Sequence, residues 1–226
     1  MNKINTENRS VQILSNGVRL EGFISIPDDP QGLVVFVHGS GSSHHSPRNQ
    51  YVAQILQDGG LATLLFDLLT VSEETTDWRT RHLRFDIDLL ATRTAGVLEW
   101  LDLQPYAYGL KRGLFGASTG AAAALIAAAE LPEKVNAVVS RGGRPDLAGE
   151  ALAKVGTPTL LIVGGHDEVV IDLNEQALAQ MQPGIDKKLI IVPGASHLFE
   201  EPGTLEQAGE LARDWFLAHL SPVRIR

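Results

Sequence analysis

The amino-acid sequence predicts a doubly wound α/β fold, in which helices cover both faces of a mostly parallel sheet. Two observations support this prediction. From residue 33 onward the chain contains short, continuously apolar runs, which are typical of parallel strands that are buried on both faces. Amphipathic helical patterns alternate with these runs to the end of the chain. The first 30 residues instead predict an antiparallel hairpin at one edge of the sheet.

The predicted strands begin with the two arms of this hairpin. Val11–Leu14 and Val18–Ile26 are alternating or β-rich runs, and Asn16-Gly17 between them suits a turn with positive φ angles. The later strands follow the apolar runs at Leu33–Val37, Leu61–Phe66, Leu114–Phe115, Val135–Val139, Thr159–Val163 and Leu189–Val192.

The helices are predicted from their terminal signals as well as from their periodicity. Ser46-Pro47 is a favourable pair for an N-cap and the first helical position, and Gly59-Gly60 ends the helix that this pair opens. Apolar residues at helical spacing predict a long helix over about residues 80–103. Further helices are predicted at Ala121–Glu130, at a capping box of Asp172 with Glu175, and at another of Thr204 with Gln207.

Two connections bear on how open the sheet edge is. Asp67–Asp77 is the least periodic part of the chain and predicts a loop over the C-terminal edge of the sheet. The stretch between Val139 and Thr159 is long enough for one short helix, around Leu147–Lys154. We therefore expect no cap domain, and a shallow, open site.

Composition excludes several classes of protein. Residues 1–226 are expected to form a single domain, and 44% hydrophobic with 20% charged residues is typical of globular chains. A net charge of −8 disfavours binding to nucleic acid. The chain has no cysteine, no run of about 18 apolar residues and a polar start, so disulfides, membrane spans and a secretory signal are not expected. These features predict a cytoplasmic protein, and leave a monomer and a homodimer equally open.

The strongest chemical signal is a turn between a predicted strand and a predicted helix. Gly116-Ala117-Ser118-Thr119-Gly120 fits the pattern G-x-S-x-G, directly after Leu114–Phe115 and directly before the alanine-rich helix. A serine in such a sharp turn projects its hydroxyl from the sheet edge, where the amides of the helix N-terminus stabilise negative charge. The alternative is that Ser118 is an ordinary N-cap residue. The context favours a nucleophile.

A serine nucleophile needs a general base that is oriented by a carboxylate. Asp167 follows the predicted strand Thr159–Val163, and His197 lies in the loop beyond Leu189–Val192. Both positions lie at the edge where ligands gather in open α/β sheets. We therefore predict the catalytic triad Ser118, Asp167 and His197. Asp146 is a competing acid, but it lies seven residues beyond its strand.

Four segments, in this order, resemble the α/β-hydrolase superfamily. They read VVFVHGSGSSHHSPRN, GLFGASTGAAAAL, TLLIVGGHDEVV and VPGASHLFEEPG. Within the superfamily they are similar to the small, lidless members of the dienelactone hydrolase family. The resemblance implies an eight-stranded sheet, hydrolytic chemistry and no cofactor. Dienelactone hydrolases carry cysteine at the nucleophile position, whereas this chain carries Ser118, so a serine esterase activity is the better expectation.

The same resemblance implies an oxyanion hole. In this superfamily the loop after the first parallel strand supplies one amide, and the residue after the nucleophile supplies the other. Here these amides belong to Ser40, with Gly41 as second choice, and to Thr119. The rival interpretation, a phosphate-binding loop, lacks both of its glycine signatures. His38 is expected to brace this loop rather than to take part in catalysis.

The other polar residues near the predicted edge are given structural roles. Asp67 is expected to cap or brace a loop. His44-His45 resembles a metal-binding pair, but adjacent histidines point apart and no carboxylate partner is evident, so no metal site is predicted. Arg141 and Arg144 follow a predicted strand and are candidates to hold a substrate carboxylate. The alternative for these arginines is a surface ion pair with Asp146 or Glu150.

The predicted activity is hydrolysis of a small ester or lactone through an acyl-enzyme. A thioesterase or an acyltransferase uses the same triad and remains an alternative. A non-catalytic binding protein on the same fold is a third possibility, although no triad member is missing from this chain.

Overall fold

The computed structural model describes residues 6–222. Eight strands of these residues form one sheet: β1 (Thr6–Ser15), β2 (Val18–Pro27), β3 (Leu33–Val37), β4 (Ala62–Phe66), β5 (Arg112–Ala117), β6 (Ala137–Arg141), β7 (Thr159–Gly164) and β8 (Lys187–Val192). Their spatial order is β1-β2-β4-β3-β5-β6-β7-β8. β2 is antiparallel to both of its neighbours, and all the other pairs are parallel.

The helices form a layer on each face of this sheet. They are α1 (Pro47–Asp58), α2 (Val71–Thr80), α3 (Ile87–Leu101), α4 (Thr119–Glu130), α5 (Glu168–Gln180) and α6 (Thr204–Leu220). α1 and α6 pack on one face, where Phe36 and Phe216 are fully buried. α3, α4 and α5 cover the other face. No helix within residues 6–222 combines the length and the apolar character needed to cross a membrane.

The predicted fold class is confirmed. All five residues of β3 are buried, as a parallel strand between two helical layers requires. Asn16 and Gly17 have φ angles of 48° and 80°, which form the expected hairpin turn. The β6–β7 connection contains only a 3-10 segment, Pro145–Lys154, which is kinked at Gly149, so no cap domain is inserted between these two strands.

The predicted loop at residues 67–77 is wrong, because α2 occupies most of it. Thr70 caps this helix: its hydroxyl accepts from the Glu73 amide, and the Glu73 carboxylate accepts from the Thr70 amide at 2.8 Å. The predicted helix over residues 80–103 is correspondingly shorter. A 3-10 turn at Leu83–Phe85 separates α2 from α3.

Two helix starts and several strand ends also differ from the prediction. Asp172 lies inside α5 rather than at its cap, and Thr204 is the first residue of α6, with Gly203 in the cap position. The Ser46 cap of α1 is confirmed, since its hydroxyl accepts from the Asn49 amide. β6 extends two residues further than predicted, which makes Arg141 its last residue.

Candidate active site

Ser118 lies in a strained turn between β5 and α4. Its φ and ψ angles are 50° and −123°, and a non-glycine residue adopts such a conformation only when the surrounding structure imposes it. Its side chain makes no cap hydrogen bond, so the hydroxyl does not serve α4 as an ordinary N-cap would. The backbone is fixed instead: the Ser118 carbonyl accepts from the Arg144 amide at 3.0 Å. The turn therefore presents a half-buried hydroxyl that is not used for helix capping.

Both glycines of the G-x-S-x-G motif are required by close packing. A Cβ atom on Gly120 would lie 2.1 Å from the Val37 carbonyl oxygen, and one on Gly116 would lie 2.4 Å from the Ala121 Cα. No side chain fits at either position without moving backbone. These contacts press the first turn of α4 against the end of β3, which brings the nucleophile next to the loop after that strand.

Asp167 and His197 are hydrogen-bonded to each other. Asp167 precedes α5 but makes no cap bond with its side chain. Its Oδ2 lies 2.6 Å from His197 Nδ1, and the Asp167 side chain is only 16% exposed. With Nδ1 donating to the carboxylate, the lone pair of the neutral imidazole is on Nε2. This is the tautomer that a general base needs.

The end of β6 lies between the nucleophile and the imidazole. The Ser118 amide donates to the Arg141 carbonyl at 3.4 Å, and a Cβ atom on Gly142 would lie 3.7 Å from His197 Nδ1. The three predicted triad residues are thus brought to one small region of the sheet edge. Residues 6–222 include no hydrogen bond between Ser118 Oγ and His197, and catalytic bonds are often long before substrate binds.

The loop that carries His197 is held in place by a hydrogen bond and by a buried ring. The Glu201 carboxylate accepts from the Ser196 amide at 2.9 Å, and this hydrogen bond lowers the pKa of the Glu201 carboxyl. Phe199 has a φ of 56° and a buried ring, although bulky residues seldom adopt positive φ. The packing around Phe199 therefore holds this loop in a conformation that an isolated chain would avoid.

The two predicted oxyanion residues also come together. A Cβ atom on Gly39 would lie 2.9 Å from Ser118 Cβ, so the loop after β3 lies directly against the nucleophile. The Ser40 amide, however, already donates to Thr119 Oγ1 at 3.0 Å. One of the two expected oxyanion donors therefore has a side-chain acceptor before substrate arrives, and no motif in the sequence predicts this hydrogen bond.

His38 braces the loop after β3, as predicted. Its Nε2 accepts from the Leu68 amide at 3.1 Å, and its Nδ1 lies 2.9 Å from the Gly39 carbonyl, so the donor is Nδ1. Burial lowers the pKa of His38, outweighing the opposing effects of the Gly39 hydrogen bond and the nearby Asp67 carboxylate. A neutral ring is the form that can make both hydrogen bonds.

His44 does have a carboxylate partner, contrary to the expectation from sequence. Asp67 accepts from the His44 amide and from its Nδ1, each at 2.7 Å. Asp67 thus braces the loop, as expected. Among residues 6–222 no group of three or more histidine, cysteine, aspartate or glutamate side chains is placed to hold a metal ion.

A cavity beside Ser40 was missed because it depends on α2. It lies between the loop after β3 and α2, and its walls include Leu68, Leu90, Asp77 and Arg84. Burial raises the pKa of the Asp77 carboxyl, but hydrogen bonds from Arg84 and from the Leu83 amide outweigh this effect and lower it. The pair fixes the end of α2 over the cavity. Only the spacing of Thr70 and Glu73 in the sequence could have indicated this helix.

The two candidate arginines differ in their hydrogen-bond partners. Arg144 donates two hydrogen bonds to Asp146, both at 2.8 Å, as the alternative interpretation expected. Arg141 is 7% exposed and lies near the rings of Phe115 and Phe199, while its Nε and Nη1 are buried without an acceptor in the described residues. Of the two, only Arg141 has buried donors to spare.

Comparisons with known proteins identify the fold and the family. The family model of the alpha/beta hydrolase fold matches residues 32–155. A crystal structure of a dienelactone hydrolase from Anabaena variabilis is 58% identical, with a TM-score of 0.93 over 95% of this chain and 99% of that one. Est1E from Butyrivibrio proteoclasticus is 17% identical with a TM-score of 0.76, over 92% of this chain and 98% of that one, which shows a shared fold alone.

Two proteins from Mycobacterium tuberculosis strains are 58% identical over 210 residues. They are provisionally named phosphoribosyl transferases, and the match covers 93% of this chain but 46% of each of them. The chain therefore spans less than half the length of these relatives. The family model and the nearly complete match to the Anabaena structure show that the chain belongs to the α/β hydrolase family, where it is similar to a dienelactone hydrolase.

Proposed function

We propose that this chain is a serine esterase that hydrolyses a small carboxylic ester or lactone through an acyl-enzyme. One observation supports the proposal above the others. The Ser118 hydroxyl stands in a strained turn without serving as a cap, at the same sheet edge as an imidazole that is oriented by a carboxylate at 2.6 Å. That combination is costly for a structural serine and useful for a nucleophile.

The reaction has two halves. His197 Nε2 takes the proton from Ser118 Oγ as this oxygen attacks the ester carbonyl, and the imidazolium then protonates the leaving alcohol. A water molecule attacks the acyl-serine, with His197 again accepting a proton and returning it to Ser118. Asp167 stabilises the imidazolium in both halves. The backbone amides of Ser40 and Thr119 are the proposed donors to the tetrahedral oxyanion.

The site's surroundings favour a short acyl group. Within residues 6–222 the β6–β7 connection adds only a short 3-10 segment at the edge of the sheet, and the cavity beside Ser40 is bounded by α2 at one end. We further propose that Arg141, rather than Arg144, meets a carboxylate on the substrate. Within residues 6–222 no carboxylate pairs with Arg141, whereas the Arg144 guanidinium is bound by Asp146.

The same triad could serve thioester hydrolysis or acyl transfer to an alcohol. The name of the mycobacterial relatives adds a phosphoribosyl transferase activity to consider, but the match covers less than half of those proteins. For this chain the fold and the Ser118 turn favour hydrolysis. Adding an alcohol acceptor to the assay distinguishes transfer from hydrolysis, because an acyltransferase would form a new ester in place of free acid.

A fluorophosphonate probe tests the proposal most directly. The folded protein is expected to be labelled on Ser118, and Ser118→Ala is expected to lose both the label and the hydrolysis of p-nitrophenyl acetate, by about a millionfold. Ser72→Ala is the matched control, since Ser72 is exposed on α2 and lies outside the triad and the oxyanion loop. An unlabelled wild-type protein would favour a non-catalytic binding role.

A further inference from the structure

The residue after the nucleophile holds a buried hydroxyl beside the oxyanion loop. Thr119 is 4% exposed, and its Oγ1 accepts from the Ser40 amide at 3.0 Å. The loop lies directly against the turn, since a Cβ atom on neighbouring Gly39 would lie 2.9 Å from Ser118 Cβ. The contact between Ser40 and Thr119 is therefore built into the packing of the loop against the turn.

The hydrogen of the Thr119 hydroxyl is not committed elsewhere. Because Oγ1 accepts from the Ser40 amide through a lone pair, its own hydrogen does not lie on the line to the Ser40 nitrogen. Within residues 6–222 this hydroxyl donates to no acceptor, whereas Thr94, inside α3, donates to the Leu90 carbonyl at 2.8 Å. Thr119 is the first residue of α4 and has no helical carbonyl four residues earlier.

A substrate oxygen that uses the Ser40 amide must lie close to Thr119 Oγ1. The Ser40 N–H group points in one direction, so a substrate oxygen and Thr119 Oγ1 that both accept from it must lie next to each other. Neighbouring oxygens attract only when a proton lies between them, and the ester carbonyl brings none. The hydrogen between the two oxygens must then come from Thr119.

We propose that Thr119 is a catalytic residue through its side chain as well as its amide: the hydroxyl accepts from the Ser40 amide and donates to the oxyanion. This inference rests on the proposed esterase function. The O–H bond of Thr119 does not break, since its proton stays on Oγ1. The hydrogen bond strengthens as the carbonyl oxygen becomes negatively charged during attack by Ser118, so it stabilises the transition state more than the bound ester.

Two substitutions test this role on the full chain. Thr119→Val removes the hydroxyl and keeps the branched shape, and it is expected to lower kcat for p-nitrophenyl acetate on the order of 100-fold with little change in KM. Thr119→Ser keeps the hydroxyl and is expected to stay within a few fold of wild type. If Thr119→Val does not fold, Thr119→Ala removes the hydroxyl without placing a methyl group against the Ser40 amide.

A transition-state analogue separates this role from simple packing. A trifluoromethyl ketone forms a tetrahedral oxyanion on Ser118, so its affinity is expected to fall in parallel with kcat in Thr119→Val and to recover in Thr119→Ser. A Thr119→Val enzyme as fast as wild type, or faster, would overturn the inference. It would mean that the hydroxyl only occupies the Ser40 amide until the substrate displaces it.

The outcomes distinguish this inference from the proposed function. If wild type shows no hydrolysis that depends on Ser118, the esterase proposal fails, and the role of Thr119 fails with it. If hydrolysis is lost in Ser118→Ala but kept in Thr119→Val, the esterase stands and only the role of the Thr119 hydroxyl is refuted.

Discussion

Replacing Arg141 with methionine should make the protein more stable and less selective. Arg141 carries a positive charge into the packed region beneath the His197 loop, and two of its nitrogens lack acceptors in the described residues. Methionine has a similar length, carries no charge and adapts to irregular spaces. Functional sites are where a buried charge is expected despite its cost in stability.

The size of the effect follows from opposing contributions. Burial, reinforced by the charge of Arg48, lowers the pKa of Arg141 to about 10, which corresponds to roughly 3 kcal/mol against the charged form at neutral pH. Contacts with the rings of Phe115 at 6.0 Å and Phe199 at 5.8 Å together offset about 1–2 kcal/mol of this penalty. Arg141→Met is therefore expected to raise the free energy of unfolding by about 1–2 kcal/mol.

Urea unfolding at pH 7 measures this change, with Arg144→Met as the matched control. The Arg144 side chain is 37% exposed and is paired with Asp146, so its replacement is expected to change stability by less than about 1 kcal/mol. The loss of stability caused by burying the charged Arg141 is complete at neutral pH. It is relieved only as pH rises through about 10, where Arg141 loses its proton in the folded state.

Selectivity is measured with two esters that differ in one carboxylate. The rate for mono-p-nitrophenyl succinate relative to p-nitrophenyl acetate is expected to fall roughly 10- to 100-fold in Arg141→Met and to stay unchanged in Arg144→Met. An unchanged ratio in Arg141→Met would refute the carboxylate contact. A loss of stability greater than about 1 kcal/mol would show that the ring contacts and packing of the guanidinium outweigh its desolvation.

Three further predictions test the triad, the turn and the brace of the loop. Asp167→Asn keeps the shape of the acid but favours the wrong imidazole tautomer, so kcat should fall by about 10⁴-fold in steady-state assays while the melting temperature changes little. Gly120→Ala forces a Cβ atom to within 2.1 Å of the Val37 carbonyl and should cost about 3 kcal/mol or more in chemical denaturation, whereas Gly156→Ala, which meets nothing within 4 Å, should be nearly neutral. Because the pKa of His38 is lowered in the folded protein, the unfolded chain takes up the His38 proton at a higher pH than the folded chain does. The free energy of unfolding should therefore decline as pH falls below about 6.5, with a maximum slope of about 1.4 kcal/mol per pH unit for this group. His38→Gln should remove this contribution, and an unaltered slope in that variant would contradict the prediction.

The sequence predicted those features that a short stretch of chain determines by itself. β3 was predicted with its observed bounds, because a run of five apolar residues ends at Val37, directly before His38. The positions of Ser118, Asp167 and His197 were predicted from strand ends, since the carboxyl ends of parallel strands lie at the same edge of the sheet. The hydrogen bond between Asp167 and His197 is consistent with that reasoning, while the function of the three residues stays a prediction.

α2 shows where the same reasoning failed. Asp77 is its only buried residue, so the helix has no apolar stripe and no helical period for the sequence to reveal. Its stability comes from its ends: Thr70 and Glu73 cap the start, and Asp77 binds Arg84 beyond the end. A helix that is defined by its caps can be found only by searching polar segments for capping boxes.

The pairing of polar groups was predictable only where one partner was obvious. Asp67 was given a bracing role from its place after β4, but its choice of His44 depends on how the loop after β3 folds back across the sheet edge. The hydrogen bond between Ser40 and Thr119 has the same origin, because it joins two segments that meet only when Gly39 packs on Ser118. Strand order thus determines which loops become neighbours, while the glycines determine how close they come. Chemistry at the edge depends on the second of these, since donors to an oxyanion must lie about 2.7–3.1 Å from it.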